Sequence, residues 1–209
     1  MTNIVHNMDC MDGMNGYPDK YFDLAVVDPP YGIGANKMTL GNGKKKIYRG
    51  ENDWDNKIPS SEYYDQLYRV SINQVVWGAN YMIKHLKENG SWIFWDKGTG
   101  NNDFSDGELA WTSFNGALRK ISKTWVGNNA KDGHIRIHPT QKPIYLYEWL
   151  IIKYCKPGMK ILDTHVGSGS SRIAADKHGM DFIGYELDAD YWKAQEKRYT
   201  EYKAQLKLF

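Results

Sequence analysis

Two stretches of this 209-residue chain carry residue types whose order could do chemistry. The first is Asp28-Pro29-Pro30-Tyr31, which follows the apolar run Ala25-Val26-Val27. Such a run, with its β-branched residues, predicts a buried strand. Proline has no N–H for a sheet ladder, so the strand must stop at Asp28. Each proline also turns the residue before it away from helical angles. The product is a stiff corner with one carboxylate, carbonyls freed from pairing and one aromatic face. In open α/β sheets, ligands bind beyond the carboxyl ends of the strands. The corner suits a planar ring carrying an amino group. Tyr31 can stack on the ring, while the Asp28 carboxylate and the Pro29 carbonyl accept the two amino hydrogens. The bland alternative is a strand end and a turn, for which Asp and Pro are ordinary residues.

The second stretch is Ile161-Leu162-Asp163-Thr164-His165-Val166-Gly167-Ser168-Gly169-Ser170-Ser171. It reads as strand, glycine turn and helix in order. Glycines let the backbone approach a ligand closely, and a helix start offers free N–H groups. Glu186, with Leu187 beside it, ends the next predicted strand, about 20 residues on, where an acid grips ribose hydroxyls. An adenosine-containing ligand follows. A nicotinamide dinucleotide fits poorly, because Arg172 stands where the third glycine belongs and Asp163 would repel a pyrophosphate. That acid suits a cation instead, such as the ammonium of an aminoacyl group or a sulfonium.

The elements that must position these residues can be read around them. Asn3 to Asn7 reads as a strand leaving through Met8-Asp9-Cys10. Met11, Met14, Tyr17 and Phe22 suggest a short helix packed on the sheet. Gly32 to Pro59 shows little periodicity and carries Lys44, Lys45, Lys46 and Arg49 among glycines. Those cations are either a solvated tip or a contact for phosphate beside the corner. Ser60 and Ser61 start a helix in which Tyr64, Leu67, Tyr68 and Ile72 share a face. Gln74 to Trp77 is a strand broken at Gly78. Trp77-Gly78-Ala79-Asn80 is either core and turn or pocket lining. Tyr81 to Lys87 reads as a short helix, Ser91 to Asp96 and Leu109 to Phe114 as strands. Lys120 to His138 reads as loop plus edge hairpin, with Lys131, His134 and Arg136 facing either solvent or DNA. An amphipathic helix carries Ile144, Tyr147, Leu150, Ile151 and Tyr154, and a last helix runs from Ala189 to Leu206. The expectation is one α/β domain over residues 1–209 with a mostly parallel sheet.

Composition narrows the classes. Cys10 and Cys155 are the two cysteines, without disulfide or metal-type spacing, as in a reducing cytosol. His134 and His138 do not make a metal site by spacing. No run is apolar enough to span a bilayer. The formal charge of +2 does not by itself announce nucleic acid, but eight Trp and fifteen Tyr leave aromatics to spare for base stacking.

The corner and the glycine loop, in this order, resemble the amino-group DNA methyltransferases, specifically their circularly permuted β group. His138-Pro139-Thr140-Gln141-Lys142-Pro143 is similar to the segment this group carries just before the loop, and Met8-Asp9-Cys10 also fits. The resemblance implies a Rossmann-like class I fold with a seven-stranded, mostly parallel sheet and helices on both faces. It implies S-adenosylmethionine as methyl donor and S-adenosylhomocysteine as product. Carried over residue by residue, Asp163, Gly167 and Gly169 hold the methionine part with Thr140 and Lys142. Glu186 binds the ribose, and Asp9 with the Cys10 backbone meets the adenine edge. His138, His165, Ser168, Ser170 and Leu187 complete the expected cofactor set. The family's usual Pro-Phe is replaced here by Thr164-His165.

The resemblance further implies a catalytic set of Asp28, Pro29, Pro30 and Tyr31 acting on a base flipped out of double-stranded DNA. An Asp before Pro-Pro-Tyr goes more often with adenine N6. N4 of cytosine, or a silent nucleoside- or DNA-binding module, are the alternatives. Residues 115–137 stand where a reduced target-recognition segment would lie, and residues 32–59 would form a mobile loop. A homodimer and a companion restriction nuclease are the further partners implied. The compartment would be the cytoplasm of a bacterium or of a phage host.

Overall fold

The computed structural model describes residues 1–35, 55–98, 105–123 and 137–205. Among them the elements run β1 (Asn3–His6), α1 (Cys10–Asn15), β2 (Phe22–Val27), α2 (Ser61–Val70), β3 (Ser71–Trp77), β4 (Trp92–Asp96), β5 (Gly107–Thr112), β6 (Arg119–Ser122), α3 (Ile144–Tyr154), β7 (Lys160–Asp163), α4 (Ser170–Lys177), β8 (Asp181–Tyr185) and α5 (Ala189–Gln205). The strands form one sheet in the order β1-β8-β7-β2-β3-β5-β4-β6. Every neighbouring pair is parallel except the two made by β5.

The continuous apolar run of β2 reflects burial on both faces of the sheet. Leu24 and Val26 join one core cluster with Leu146 and Leu150 of α3 and Ala174 and Ala175 of α4. Ala25 and Val27 join the other, with Met14 of α1 and Tyr63, Tyr64 and Leu67 of α2. Burying one side chain of Leu or Val size stabilises by about 1.5–3 kcal/mol, so these two layers hold the helices on the sheet. The architecture is thus an α/β sheet with helices on both faces, as the resemblance implied.

The topology also locates a crevice. The unit β2–α2–β3 winds outward from β2 in one direction, and β7–α4–β8 winds outward from β7 in the other. β2 and β7 are neighbours, with Leu24 opposite Ile161 and Ala25 opposite Leu162. That is a topological switch point, where a gap opens beyond the strand ends.

Several local expectations are corrected. The sheet has eight strands, not seven, because Arg119–Ser122 adds in parallel to β4 at the edge. Its residues are mostly exposed, so no hydrophobic alternation announced it. The described part of the expected Lys120–His138 hairpin is this parallel strand, and residues 124–136 lie outside the description. α2 ends at Val70, so Ile72 lies in β3 and is half exposed instead of lining the helix face. Residues 79–85 form two 3-10 turns in place of a helix, with Tyr81 N–H bonded to the Gly78 carbonyl and His85 N–H to that of Met82. The strand expected at Leu109–Phe114 starts earlier, at Gly107.

Candidate active site

Asp28 follows β2 directly and opens the crevice. Tyr31 curls back, so its hydroxyl donates to Asp28 Oδ1 at 2.6 Å. Lys142, from the segment before α3, donates to the same Oδ1 at 2.6 Å and to the Tyr31 hydroxyl at 2.9 Å. Its third partner is Glu108 Oε2, at 2.9 Å. Lys97, just past β4, closes the cluster with Nζ 2.5 Å from Glu108 Oε1. The Lys142 side chain is 2% exposed, and burial of an unpaired ammonium there would cost several kcal/mol. Two cations against two carboxylates leave the group neutral. Burial pushes the Asp28 carboxyl up, against the pull of Lys142. Burial would raise Glu108 too, but Lys142 and Lys97 together hold it down at about 2.

A ring stack, a glycine turn and one buried carboxylate fix the corner. The Tyr31 ring stacks on Tyr81, centroids 5.3 Å apart and planes 18° from parallel. Gly78 lies against the Tyr31 ring with φ +66°, and a Cβ there would sit 2.0 Å from Tyr31 Cε1. So the turn after β3 needs glycine on two counts. Asp55, 1% exposed, accepts from Tyr31 N and Gly32 N through Oδ1 and from Ala35 N through Oδ2, at 2.7, 2.9 and 2.6 Å. Three backbone donors are thereby satisfied by one carboxylate.

Across the crevice, Asp163 ends β7. Its carboxylate accepts from the Ser171 hydroxyl at 2.5 Å and from His165 N–H at 3.0 Å. Burial raises it to about 7, with the charge of Asp28 adding to the rise. Glu186, past β8, accepts from Gly167 N–H at 2.8 Å and Asp188 N–H at 3.0 Å, and burial raises it to about 7 as well. Gly169 has φ +76°, and a Cβ there would meet Gln195 at 3.2 Å. The His165 ring is 2.9 Å from the Thr164 hydroxyl, which is 2.7 Å from the Tyr63 hydroxyl of α2. Burial pushes the His165 ring down to about 4, so it is neutral at physiological pH.

The parallel strands bring Asp9, Glu186, Asp163 and Asp28 to successive carboxyl ends of β1, β8, β7 and β2. Asp9 caps α1, its Oδ1 accepting from Met11 N–H at 2.8 Å, and burial pushes the neighbouring Cys10 thiol up to about 12. His138 packs on Tyr191 at 4.3 Å and lies beside Gly167. Thr140 is hydrogen-bonded to the His138 ring. Lys142 makes its hydrogen bonds and ion pairs with Asp28, Tyr31 and Glu108, and its charge also pulls down the Asp163 carboxyl across the crevice. The Ser168 carbonyl and the Ser170 hydroxyl are taken by Arg198 of α5, so both face inward. Leu187 is 67% exposed. Lys44, Lys45, Lys46, Arg49, Lys131, His134 and Arg136 lie outside the described residues. Glu108, Lys97 and Asp55 had no motif to mark them; each is an isolated polar residue that only strand pairing or chain reversal carries to the corner, while Tyr63 of α2 is carried to Thr164 and His165 of the glycine loop.

Comparison with known proteins agrees with this geometry. The family model for N6/N4 DNA methylases matches residues 101–197. A Streptococcus pneumoniae type II methyltransferase, M2.DpnII, is 30% identical over 145 residues, covering 69% of this chain and 48% of the relative. Both matches support reading the chain, by similarity, as an amino-group DNA methyltransferase. The chain is also 25% identical to M2.LlaDCHI of Lactococcus lactis subsp. cremoris, over 84% of its own length and 81% of the relative's. Its fold matches that of a Thermus thermophilus protein described as a DNA modification methylase, with TM-score 0.62 at 16% identity over 96% of this chain and 95% of that one. The PvuII cytosine-N4-specific methyltransferase superposes with TM-score 0.61 at 14% identity, over 94% of this chain and 86% of that one. The family model begins past the Asp28 corner, so the corner rests on its own geometry.

Proposed function

We propose that the protein transfers a methyl group from S-adenosylmethionine to N6 of adenine in double-stranded DNA, as one member of a restriction–modification system. The observation that carries this reading is the meeting of Asp28-Pro29-Pro30-Tyr31 and the Asp163–Gly169 loop at one switch point. The cofactor side suits its ligand. Buried Asp163 and Glu186, both raised to about 7, call for a cationic partner and hydroxyl donors. Positive φ at Gly167 and Gly169 keeps the loop clear of Cβ atoms. Asp163, Gly167, Gly169, Glu186, Asp9 and Thr140 would hold the cofactor, which supplies an electrophilic methyl on a sulfonium. Thr140 lies beside His138 at the glycine loop, whereas Lys142 is assigned to the catalytic corner.

The residues' part in transfer is positioning. Asp28 and the Pro29 carbonyl accept the two amino hydrogens of the flipped base, which frees the nitrogen lone pair from ring conjugation. That pair would form the N–C bond as the S–C bond breaks and the thioether leaves, and the surplus proton on nitrogen would pass to the Asp28 carboxylate that accepts its hydrogen bond. Tyr31, rigidly held by Asp55, Gly78 and Tyr81, supplies an aromatic surface for the base; stacking of this kind is worth about 1–3 kcal/mol per base. Orientation and exclusion of water supply most of the acceleration. Asp28 before the prolines supports adenine over cytosine N4. Base-resolved mapping of DNA from cells expressing the protein tests both target and context. N4-methylcytosine in place of N6-methyladenine would reverse the base assignment. Asp28→Ala is expected to lose transfer of tritium to DNA by about 10³-fold or more while retaining cofactor binding by calorimetry. Full activity in that variant would sink the assignment.

A further inference from the structure

We propose that Glu108 is a positioning residue of the transfer reaction, acting on Asp28 through Lys142. It draws the ammonium partly onto its own carboxylate and so keeps Asp28 Oδ2 available for the incoming amino group. This rests on the reading of Asp28 as acceptor of the amino hydrogens.

The geometry is that of one cation shared between two acids. Lys142 has three N–H donors. Its partners are Asp28 Oδ1 at 2.6 Å, the Tyr31 hydroxyl at 2.9 Å and Glu108 Oε2 at 2.9 Å. All three donors are therefore spent, and none is left to reach the second oxygen of Asp28. Among the described residues, the hydrogen bonds recorded for the Asp28 side chain both fall on Oδ1. Glu108 reaches this place because β5 runs antiparallel to β3, so its first residues stand at the same edge as the last residues of β2 and β3. Its other oxygen is held by Lys97, which itself lies over the Trp95 ring at 5.2 Å. Glu108 is thus clamped from both sides.

Charge gives a second reason for the arrangement. As the methyl group transfers, positive charge passes from sulfur to the amino nitrogen. Asp28 and Glu108 against Lys142 and Lys97 make a neutral surround for that charge. Without Glu108 the surround becomes net positive beside a nitrogen that is turning cationic. Lys142, with a donor released in a buried place, then has reason to cover both oxygens of Asp28. The other groups facing Asp28 are Tyr31 on its own loop, Asp163 from β7 and Tyr147 from α3. Of these, Asp163 is the one acid, and it stands on the cofactor side.

The test compares wild type, Glu108→Gln and Glu108→Asp as full-length protein. Two measurements are made: steady-state tritium transfer to unmethylated genomic DNA over pH 5–9, and side-chain carboxyl NMR titration without cofactor or DNA. Glu108→Gln is expected to lower kcat by about tenfold or more with the cofactor KM within about twofold of wild type. Removing a negative neighbour should move the acid limb of kcat, and the Asp28 carboxyl midpoint, to lower pH. Glu108→Asp keeps the charge and should hold the Asp28 midpoint near the wild-type value while recovering part of kcat. The proposal is overturned if Glu108→Gln merely lowers the melting temperature, leaving kcat, the acid limb and the Asp28 midpoint where they were. Absence of transfer by the wild-type protein overturns the functional reading instead, and this proposal with it.

Discussion

Lys142→Met removes the cation at the centre of the corner while nearly keeping its volume. The loss can be worked from the distances. Lys142 lies 2.6 Å from Asp28 Oδ1 and 2.9 Å from Glu108 Oε2, with 2% of its side chain exposed. Breaking a buried ion pair by removing one partner costs about 3–5 kcal/mol, because the other charge stays behind. The acid side gives a similar figure. Glu108 held at about 2 instead of 4.5 corresponds to about 3 kcal/mol of preference for its charged form, part of which Lys97 retains in the variant. We therefore expect a stability loss of about 3 kcal/mol or more at pH 8, read from urea unfolding by linear extrapolation. The loss should shrink as the pH is lowered. With Lys142 gone, Asp28 and Glu108 face each other across the Tyr31 hydroxyl, and at least one folded-state carboxyl rises above its unfolded value. A carboxyl raised on folding takes up a proton before the unfolded chain does, so stability is regained as pH falls through the raised value. A loss under about 1 kcal/mol, or one that stays constant from pH 8 to pH 5, would refute the picture of a cation shared between two buried acids.

Gly78→Ala places a methyl 2.0 Å from the Tyr31 ring at φ +66°, so Tyr31 must move. The expected result is a stability loss of about 1–3 kcal/mol by thermal melting and a fall in transfer rate larger than any fall in cofactor affinity. Asp163 and Glu186 are both raised to about 7, so in the free protein each is largely protonated at pH 6 and largely ionised at pH 8. A cationic ligand favours the ionised forms; S-adenosylmethionine should bind about tenfold or more tighter at pH 8 than at pH 6 by calorimetry, with uptake of the ligand releasing protons. A flat affinity profile would remove these two acids from the site. Without ligand the same raised values imply the opposite trend in stability, which should increase as pH falls through 7.

Much of the fold and of the site was legible in local order. The two prolines end β2 at Asp28 whatever the rest of the chain does, because neither can donate to a neighbouring strand. The glycine turn between Asp163 and α4 is likewise a property of adjacent residues. The order of units, with β2–α2–β3 ahead of β7–α4–β8, was readable too, since the crossover rule leaves little choice of direction. What local order mislaid were short elements without periodicity. The strand Arg119–Ser122 is mostly exposed, and residues 79–85 support only successive i to i+3 bonds after a left-handed glycine.

The tertiary structure alone decided which side chains share a charge. Sequence order placed Lys142 with the cofactor segment, yet in the folded chain its donors go to Asp28, Tyr31 and Glu108. Glu108, Lys97 and Asp55 were anonymous polar residues until β5 reversed against β3 and the chain returned from residue 55 to the corner. Strand ends, turns and caps follow from interactions between neighbours in the chain, so they can be read one residue after another. The balance of a buried ammonium against two carboxylates depends on distances of 2.6 and 2.9 Å between residues far apart in the chain, and only folding sets those.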